Sequence, residues 1–243
     1  VPIPFELKYF GAPYSTLYVN NNGNVTFDAP RSDYTPSDLT GAALPIIAPF
    51  FADVDTRALG SNVVTYVASP DGSTFCVNWA DVGYYGSHDD LLNTFQLLLT
   101  KNTTGAGRVA GDFDITFNYD QVLWETGDAS GGSGGMGGTP AAVGFSAGTG
   151  DPGTFVQLPG SLQHGALLDG GPDALVAHSQ NSAQLGRYVF QVRNAGIDVI
   201  DTPYEVTARF PPPERPGAPG GGIGAPALTT INNGHVYTPG TYG

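Results

Sequence analysis

The chain has 243 residues, and its 22 acidic side chains outnumber its 9 basic ones, which gives a formal net charge of -13. This charge repels phosphate backbones and anionic lipid surfaces, so it excludes nucleic-acid binding. Hydrophobic residues make up 40% of the chain, too much apolar material for a disordered polymer, and the 35 glycines and 20 prolines therefore indicate a packed domain with many turns.

The acidic residues indicate an all-β fold. They are 18 Asp and only 4 Glu, and Asp favours turns and caps whereas Glu is a strong helix former. No apolar run approaches the roughly 20 residues that a membrane-spanning helix needs, so we expect no membrane span. Because the chain opens at Val1 with no Met and no signal sequence, we expect an exported mature form.

The first predicted element is a hairpin. Residues 17–19 and 25–27 are apolar or β-branched and flank the turn Asn20-Asn21-Asn22-Gly23-Asn24. Asn and Gly tolerate the positive φ angles that tight hairpin turns require. A loop punctuated by prolines follows from Pro30 to Pro45, and residues 46–54, 62–68 and 74–79 then have the composition of strands.

The clearest strand pattern covers residues 112–120. Phe113, Ile115, Phe117 and Tyr119 alternate with polar residues, as a half-buried antiparallel strand requires. We expect this strand to pair with residues 92–101, whose more apolar face is also spaced by two. A flexible glycine-rich loop is predicted for residues 127–138, and strands for 141–147, 154–158, 174–177 and 187–193. The prediction is an antiparallel β-sandwich of roughly ten short strands with long Gly/Pro-rich loops.

The last part of the chain has a different composition. Residues 211–226 hold six prolines and five glycines, which is typical of an extended polyproline-like linker. Beyond this linker, residues 227–231 and 235–237 flank an Asn-Asn-Gly turn and predict a terminal strand or hairpin. We therefore divide the chain into a β-sandwich domain of residues 1–194 and an extended tail of residues 195–243.

Eight segments of the chain, taken in order, resemble the nidogen-like extracellular domain. They are Tyr9-Phe10-Gly11, residues 17–27 (LYVNNNGNVTF), residues 48–57 (APFFADVDTR), Asn93-Thr94-Phe95-Gln96, Phe117-Asn118-Tyr119, residues 124–127 (WETG), residues 143–148 (VGFSAG) and residues 186–190 (GRYVF). The resemblance covers about residues 5–193 and does not extend to the tail. One departure is Phe51, where the family usually has Trp.

The resemblance implies an extracellular, secreted or cell-surface domain without enzymatic activity that acts in matrix structure and cell-matrix adhesion. Its partners are then matrix or cell-surface components. Two features of this sequence fit the N-glycosylation pattern, at Asn24 and Asn102, and matter only in a host that performs this modification.

Asp53 and Asp55 are the candidate metal ligands. They alternate along one strand and so place two carboxylates on one side, where loop carbonyls would complete a Ca²⁺ site. The alternative is that both acids accept hydrogen bonds from nearby backbone and from Arg57, and so hold a turn together. His88-Asp89-Asp90 also resembles a metal cluster, but adjacent residues on a loop rarely converge on one ion.

A serine hydrolase is the remote enzymatic alternative. Ser146 lies in a Gly-x-Ser-x-Gly pattern, and Asp169 or Asp173 followed by His178 has the right order for a triad. A nucleophile of this kind needs a helix after the turn, and the residues after Gly148 cannot start one. The lone Cys76 is expected to be a small buried side chain, with an intermolecular disulfide or a reactive thiol as the alternatives.

The tail suggests self-assembly. Sixteen residues at about 3.1 Å per residue span roughly 50 Å, and a domain of this size is about 40 Å across. The tail can thus extend past its own domain and add its terminal strand to a neighbour's sheet edge. The residues assigned to this contact are Ala227, Leu228, Thr229, Thr230, Ile231, Val236 and Tyr237. Head-to-tail contacts that do not close produce filaments.

A monomeric adhesion module that binds matrix protein or glycan is the main alternative to a filament. In that case the tail folds back on its own sandwich. Sugars stack on exposed aromatic rings, so an exposed patch among Tyr34, Tyr84, Tyr85 and Trp124 would favour this alternative.

Overall fold

The computed structural model describes residues 1–193, 196–198, 229–232 and 235–237. Its strands are β1 Pro2–Tyr9, β2 Ala12–Thr16, β3 Tyr18–Asn20, β4 Asn24–Thr26, β5 Ile46–Phe51, β6 Val54–Asp55, β7 Val64–Ala68, β8 Thr74–Tyr84, β9 His88–Lys101, β10 Phe113–Gln121, β11 Gly132–Ser133, β12 Met136–Gly137, β13 Ala142–Ser146, β14 Phe155–Gln157, β15 Arg187–Arg193, β16 Gly196–Asp198, β17 Thr229–Asn232 and β18 His235–Tyr237. Two short 3₁₀ helices cover Leu39–Gly41 and Asp128–Ser130.

Two large antiparallel sheets form the domain, which confirms the all-β prediction. The first sheet has the strand order β16-β15-β10-β9-β8-β7-β17-β18, with β6 added to β8. The second has the order β14-β13-β5-β4-β3. The two remaining ladders are the hairpins β1-β2 and β11-β12.

The core lies between the two large sheets. Phe50 of the second sheet packs against Phe95 of the first, with ring centroids 5.4 Å apart, and Phe145 packs edge-on against Phe190 at 4.9 Å. All four rings are buried. Aromatic pairs at such distances add to the free energy gained by burying their apolar area, so these contacts stabilise the sandwich.

The predicted hairpin and the predicted strand pair are both present. Val19 pairs with Val25 in the hairpin, and Ile115 pairs with Leu99 between β10 and β9. Gly23 in the hairpin turn has a φ of +71°, and a Cβ there would lie 1.7 Å from the carbonyl oxygen of Phe50. A side chain at this position would therefore clash with β5.

Several local predictions were wrong. Residues 174–177 form turns instead of a strand, and residues 127–138 contain a 3₁₀ helix and the β11-β12 hairpin instead of a flexible loop. His88-Asp89-Asp90 begins β9 and is not a loop. The ladder of β1 with β2 was not predicted, and the strands of the described residues outnumber the roughly ten expected. Most of the added strands have only two to five residues, too short for a periodic pattern.

Candidate functional site

A cleft of about 480 Å³ opens beside the turn of the β3-β4 hairpin. Loops that follow β4, β5 and β8 form its other walls. Its lining consists of Val1, Tyr18, Val19, Asn20, Asn21, Asn22, Pro30, Arg31, Ser32, Tyr34, Asp53, Val54 and Tyr85. The cleft is in the size range of ligand sites in proteins and joins segments that are distant in sequence, so it is the candidate binding site.

Two asparagines of the hairpin turn fasten the neighbouring loop. The Asn20 side-chain oxygen accepts a 3.0 Å hydrogen bond from the backbone amide of Arg31. The Asn22 side-chain amide donates to the carbonyl oxygen of Asp33 at 3.0 Å. These two hydrogen bonds attach the backbone of Arg31 and Asp33 to the hairpin turn, and they hold this wall of the cleft in place.

Asn21 connects the same turn to the first sheet. The Asn21 side-chain amide donates to the carbonyl oxygen of Val54 at 2.8 Å. The backbone carbonyl oxygen of Asn21 accepts a 3.0 Å hydrogen bond from the Trp79 indole. The Trp79 ring is buried and stacks on Phe95 at 5.2 Å. The cleft floor is thus attached to the core.

Arg31 is also held by its neighbours. Its guanidinium lies 4.7 Å from the centroid of the Phe51 ring, and its Nε donates to Asp33 Oδ2 at 3.0 Å. A second donor reaches the Ser37 hydroxyl at 3.3 Å. A cation over an aromatic face is attracted by the ring, so Arg31 is oriented and partly neutralised within the loop.

Asp53 lies at the bottom of the cleft and is 1% exposed. Its Oδ2 accepts a 3.2 Å hydrogen bond from the backbone amide of Ser130. Burial raises the pKa of the Asp53 carboxyl to about 6, although the hydrogen bonds from Ser130 and Ala129 act in the opposite direction. Gly127 approaches so closely that a Cβ there would lie 2.7 Å from the same oxygen.

Asp55 is held by Arg57 and by two backbone amides. Arg57 Nε donates to Oδ1 at 2.8 Å and its Nη2 to Oδ2 at 2.5 Å. The amides of Arg57 and Ser87 each donate at 3.0 Å. Burial raises the pKa of Asp55, but these hydrogen bonds and the Arg57 charge outweigh burial and leave it below its usual value.

The two candidate metal ligands therefore have separate partners in this structure. Among the residues that it describes, no three His, Cys, Asp or Glu side chains lie close enough together to hold a metal ion. For Ca²⁺ to bind both Asp53 and Asp55, Arg57 would have to release a carboxylate that it contacts with two nitrogens. The calcium site stays a prediction.

The side chains of residues 88–90 have separate partners rather than a common centre. His88 Nε2 lies 3.0 Å from Asp128 Oδ2, and Asp90 Oδ1 accepts a 2.9 Å hydrogen bond from the Tyr84 hydroxyl. Asp89 accepts from the backbone amide of Gly60 at 2.8 Å. This pattern matches β9 beginning at His88, since successive strand side chains point to opposite faces.

The predicted aromatic patch is only partly exposed. Tyr84 and Trp124 are buried, and the Trp124 indole donates to the carbonyl oxygen of Val82 at 2.9 Å. Tyr34 and Tyr85 are 48% and 41% exposed and both line the cleft. Tyr18, which no sequence pattern indicated, is 41% exposed and lines the cleft as well. The exposed aromatic set is thus Tyr18, Tyr34 and Tyr85.

Ser146 does not have the environment of a catalytic nucleophile. It is fully buried at the end of β13, and its hydroxyl oxygen accepts a 3.1 Å hydrogen bond from the amide of Gly148. Bends and turns follow it, whereas a nucleophile elbow leads into a helix. Asp169 accepts from the amide of Val122, and His178 lies 3.0 Å from the carbonyl oxygen of Ala174.

The backbone of β17 pairs with β7, at one edge of the first sheet. Thr229 lies opposite Tyr66, Thr230 opposite Thr65 and Ile231 opposite Val64. β18 then pairs with β17, which places Val236 opposite Ile231 and Tyr237 opposite Thr230. Of the assigned assembly residues, Ala227 and Leu228 lie outside the described residues, as does the predicted linker of residues 211–226.

The tail strands lie at opposite ends of the first sheet. β16 ends at Asp198 beside β15, and β17 begins at Thr229 beside β7. Four further strands of the sheet separate β15 from β17 in the order β10-β9-β8-β7. Residues 199–228 thus connect two strands at opposite ends of the sheet.

Comparison with known proteins identifies a family. The family model of the nidogen-like domain matches residues 15–73 and 68–194. No solved structure matches this chain significantly. Over the part of the chain that the structure describes, no helix is both long and apolar enough to cross a membrane.

Relatives of known name match most of the chain in the case of alpha-tectorin and less than half of it in the case of nidogen. Alpha-tectorin of Mus musculus is 33% identical over 230 residues, which cover 82% of this chain and 10% of that protein. Alpha-tectorin of Gallus gallus is 31% identical over 225 residues, or 81% of this chain and 10% of that protein. Nidogen of Drosophila melanogaster is 30% identical over 122 residues, which cover 40% of this chain and 9% of that protein. The chain thus spans about a tenth of the length of these relatives.

Proposed function

This chain belongs to the nidogen-like domain family, and on that premise we propose that it is a non-enzymatic extracellular domain with a structural and adhesive role. Alpha-tectorin and nidogen are extracellular matrix proteins, which supports a matrix location and matrix partners. In this proposal residues 1–194 form the nidogen-like unit, and residues 195–243 form a tail whose residues 199–228 are the connector.

The environment of Ser146 supports a role without catalysis. A nucleophile must reach substrate, and this hydroxyl is buried and bonded to its own turn. The exposed cleft offers aromatic rings and a buried carboxylate at its floor, which suit binding more than covalent chemistry.

In this single chain β17 pairs with its own β7, which is the arrangement of the monomeric alternative, and the assembly proposal takes from this pairing only that the β7 edge accepts the tail strand. β7 is the last strand of the domain on that side of the sheet, and β17 covers its unpaired backbone groups from Val64 to Tyr66. Exposed edges of this kind accept an added strand through main-chain hydrogen bonds, whichever copy of the chain supplies it. We propose that β17 of one copy docks on β7 of the next.

The strand order permits exchange between copies. Six strand spacings of about 4.8 Å separate β16 from β17, or about 29 Å. The 30 residues between Asp198 and Thr229 cover up to about 93 Å in a polyproline-like conformation. This connector is about three times longer than the separation, so it can reach the edge of a neighbouring copy as well as its own.

The protein concentration decides whether β17 pairs with the β7 of its own copy or with the β7 of another copy. A flexible tether holds its own strand at an effective concentration of the order of millimolar or less, falling as the tether lengthens. Exchange between copies therefore competes when the protein is concentrated, as in a matrix. Because the donor strand and the acceptor edge are different surfaces, the contact is heterologous and extends into filaments when it does not close.

Light scattering and negative-stain microscopy test the assembly. We expect oligomers or filaments that grow with protein concentration and that disappear when residues 211–243 are deleted. Assembly that survives this deletion would contradict the proposal. Monomers of the full chain at every concentration would also contradict it and would favour the alternative, a monomeric adhesion module with β17 on its own domain.

Calcium at Asp53 and Asp55 is a separate proposal with its own test. If Ca²⁺ replaces Arg57 at Asp55, added Ca²⁺ raises the melting temperature of the chain and no longer does so in Asp55→Asn. Equal melting temperatures in Ca²⁺ and in EGTA would contradict a calcium site.

A further inference from the structure

The cleft has an aromatic rim that the strand exchange does not use. Tyr18, Tyr34 and Tyr85 are each between 41% and 48% exposed, although large aromatic side chains are usually more deeply buried. They come from β3, from the loop after β4 and from the residue after β8. Three exposed rings around one cleft indicate a surface built for a ligand.

The polar side chains of the cleft are largely committed to its walls. Asn20 and Asn22 bond the backbone of the loop, and Asn21 bonds the backbone of Val54. The guanidinium of Arg31 is bonded to Asp33 and lies over a ring. A sugar needs several polar partners for its hydroxyls, so this cleft favours a ligand that is recognised mainly by aromatic faces and by few hydrogen bonds.

A proline-rich segment has this chemistry. In the polyproline II conformation it presents pyrrolidine rings to aromatic-lined grooves, and its backbone carbonyls accept hydrogen bonds from side chains such as tyrosine hydroxyls. The conformation is preformed in solution, so little entropy is lost on binding.

The chain supplies such a segment itself. Residues 211–219 read PPPERPGAP and contain two Pro-x-x-Pro spacings, Pro213 to Pro216 and Pro216 to Pro219. Arg215 lies inside the segment, and the exposed Asp33 lies between the cleft residues Ser32 and Tyr34. Glu214 leaves the segment with no net charge and Arg31 already binds the Asp33 carboxylate, so the contact depends on proline rings packing against tyrosine faces and not on charge.

We propose that the cleft between Tyr18, Tyr34 and Tyr85 binds the proline-rich segment of residues 211–219. The contact holds the connector against the nidogen-like domain, whether the segment belongs to the same copy or to the next. This contact does not depend on whether β17 docks on its own copy or on the next. A result that contradicts strand exchange therefore does not contradict the contact, and a result that contradicts the contact does not contradict strand exchange.

Paramagnetic broadening in the full chain tests this contact. A nitroxide is attached at Gly220→Cys, just beyond the segment, and Cys76 is buried and stays unlabelled. We expect the backbone amide signals of Tyr18, Ser32, Tyr34 and Tyr85 to lose most of their intensity. Mixing labelled chain with ¹⁵N chain that carries no label shows whether the segment comes from another copy, and either origin supports the proposal.

Variants of the rim provide the control. Tyr34→Ala with Tyr85→Ala should restore the signals, whereas Leu185→Ala, which removes a 63% exposed side chain outside the cleft, should leave the broadening unchanged. Unchanged core amide signals show that the variants fold. Cleft amides that are never broadened, or that stay broadened in the tyrosine variant, would overturn the proposal. Cellohexaose that shifts the cleft amides while the label does not broaden them would identify a glycan site instead.

Discussion

The carboxylate of Asp53 accepts a 3.2 Å hydrogen bond from the amide of Ser130, 77 residues further along the chain. Ser130 in turn donates from its hydroxyl to the carbonyl oxygen of Tyr34 at 3.3 Å. One carboxylate and one serine thus link three segments that meet at the cleft. Ser130 thus joins the Asp53 carboxylate to the loop that carries Tyr34.

Asp53 makes stability depend on pH. Its pKa of about 6 in the folded chain is above the value of about 3.9 in an unfolded chain, so the folded state holds the proton more tightly. This contribution is fully present below about pH 4 and is lost as pH rises through about 6. We expect Asp53→Asn to remove this pH dependence. As pH rises from 4 to 7, the free energy of unfolding of the variant should therefore increase relative to that of the native chain, by about 2–3 kcal/mol at most.

Urea unfolding at pH 4, 5, 6 and 7 measures this difference. Asp151→Asn, on an exposed loop, is the matched control and should follow the native chain at every pH. If the free energies of unfolding of Asp53→Asn and of the native chain differ by the same amount at every pH, Asp53 does not titrate between pH 4 and pH 7.

The Arg57 pair should show the opposite pH dependence. The folded-state pKa of Asp55 is lowered, so its contribution is present above the unfolded pKa and is lost as pH falls through the folded value. Arg57→Gln should lower the free energy of unfolding by about 1–3 kcal/mol at pH 7, because a buried carboxylate loses its charged donors, and by less at pH 3. Lys101→Ala removes an exposed cation and should have little effect. An equal loss at both pH values would rule out the ion pair as the cause.

Cys76 should be unreactive in the folded chain. It is 1% exposed in β8, and burial raises the pKa of its thiol to about 12 although Asn78 and Gln96 lower it. The thiolate is the reactive form, so we expect no reaction with Ellman's reagent at pH 8 until urea unfolds the chain, and then one thiol per chain. Rapid reaction of the native protein would mean that β8 opens or that the thiol is accessible.

Shortening the connector should force exchange between copies. Deletion of residues 203–222 leaves 10 residues between Asp198 and Thr229, which extend to about 36 Å at most. The direct separation is about 29 Å, and a path around the two sheets, which pack about 10 Å apart, is longer. We therefore expect dimers or larger species by light scattering. A Gly/Ser segment of the deleted length is the control and should return the dilute protein to monomer, whereas a monomeric shortened chain would contradict the exchange.

Much of the sandwich could be predicted from local pattern. β9 and β10 have nine or more residues, so their alternation is visible in the sequence, and the asparagine-glycine turn between β3 and β4 carries its own signal. β1 could not be predicted because Pro2 and Pro4 each lack an amide donor, which argues against a strand. Residues 174–177 look like a strand because they are apolar, but they fold into turns in which only Ala174 and Leu175 are buried.

The cleft was harder to predict than the strands. Asp53, Tyr34 and Tyr85 were selected for their chemistry, but nothing in the sequence brings them together with Tyr18. The loop wall forms through side-chain bonds to backbone, such as that from the Arg31 amide to Asn20, and these depend on the tertiary fold. Three consecutive asparagines before a proline-containing loop were the available signal.

The most direct test of strand exchange is a disulfide between two copies. Thr65 and Thr230 lie directly opposite each other in the β7-β17 ladder, where Cα atoms are about 4.5–5.5 Å apart, within the range that a disulfide spans. The chain with Thr65→Cys is mixed at high concentration with the chain with Thr230→Cys, oxidised and run on a non-reducing gel. We predict a cross-linked heterodimer. A mixture that stays monomeric, while the double variant in one chain closes its own disulfide, would contradict it.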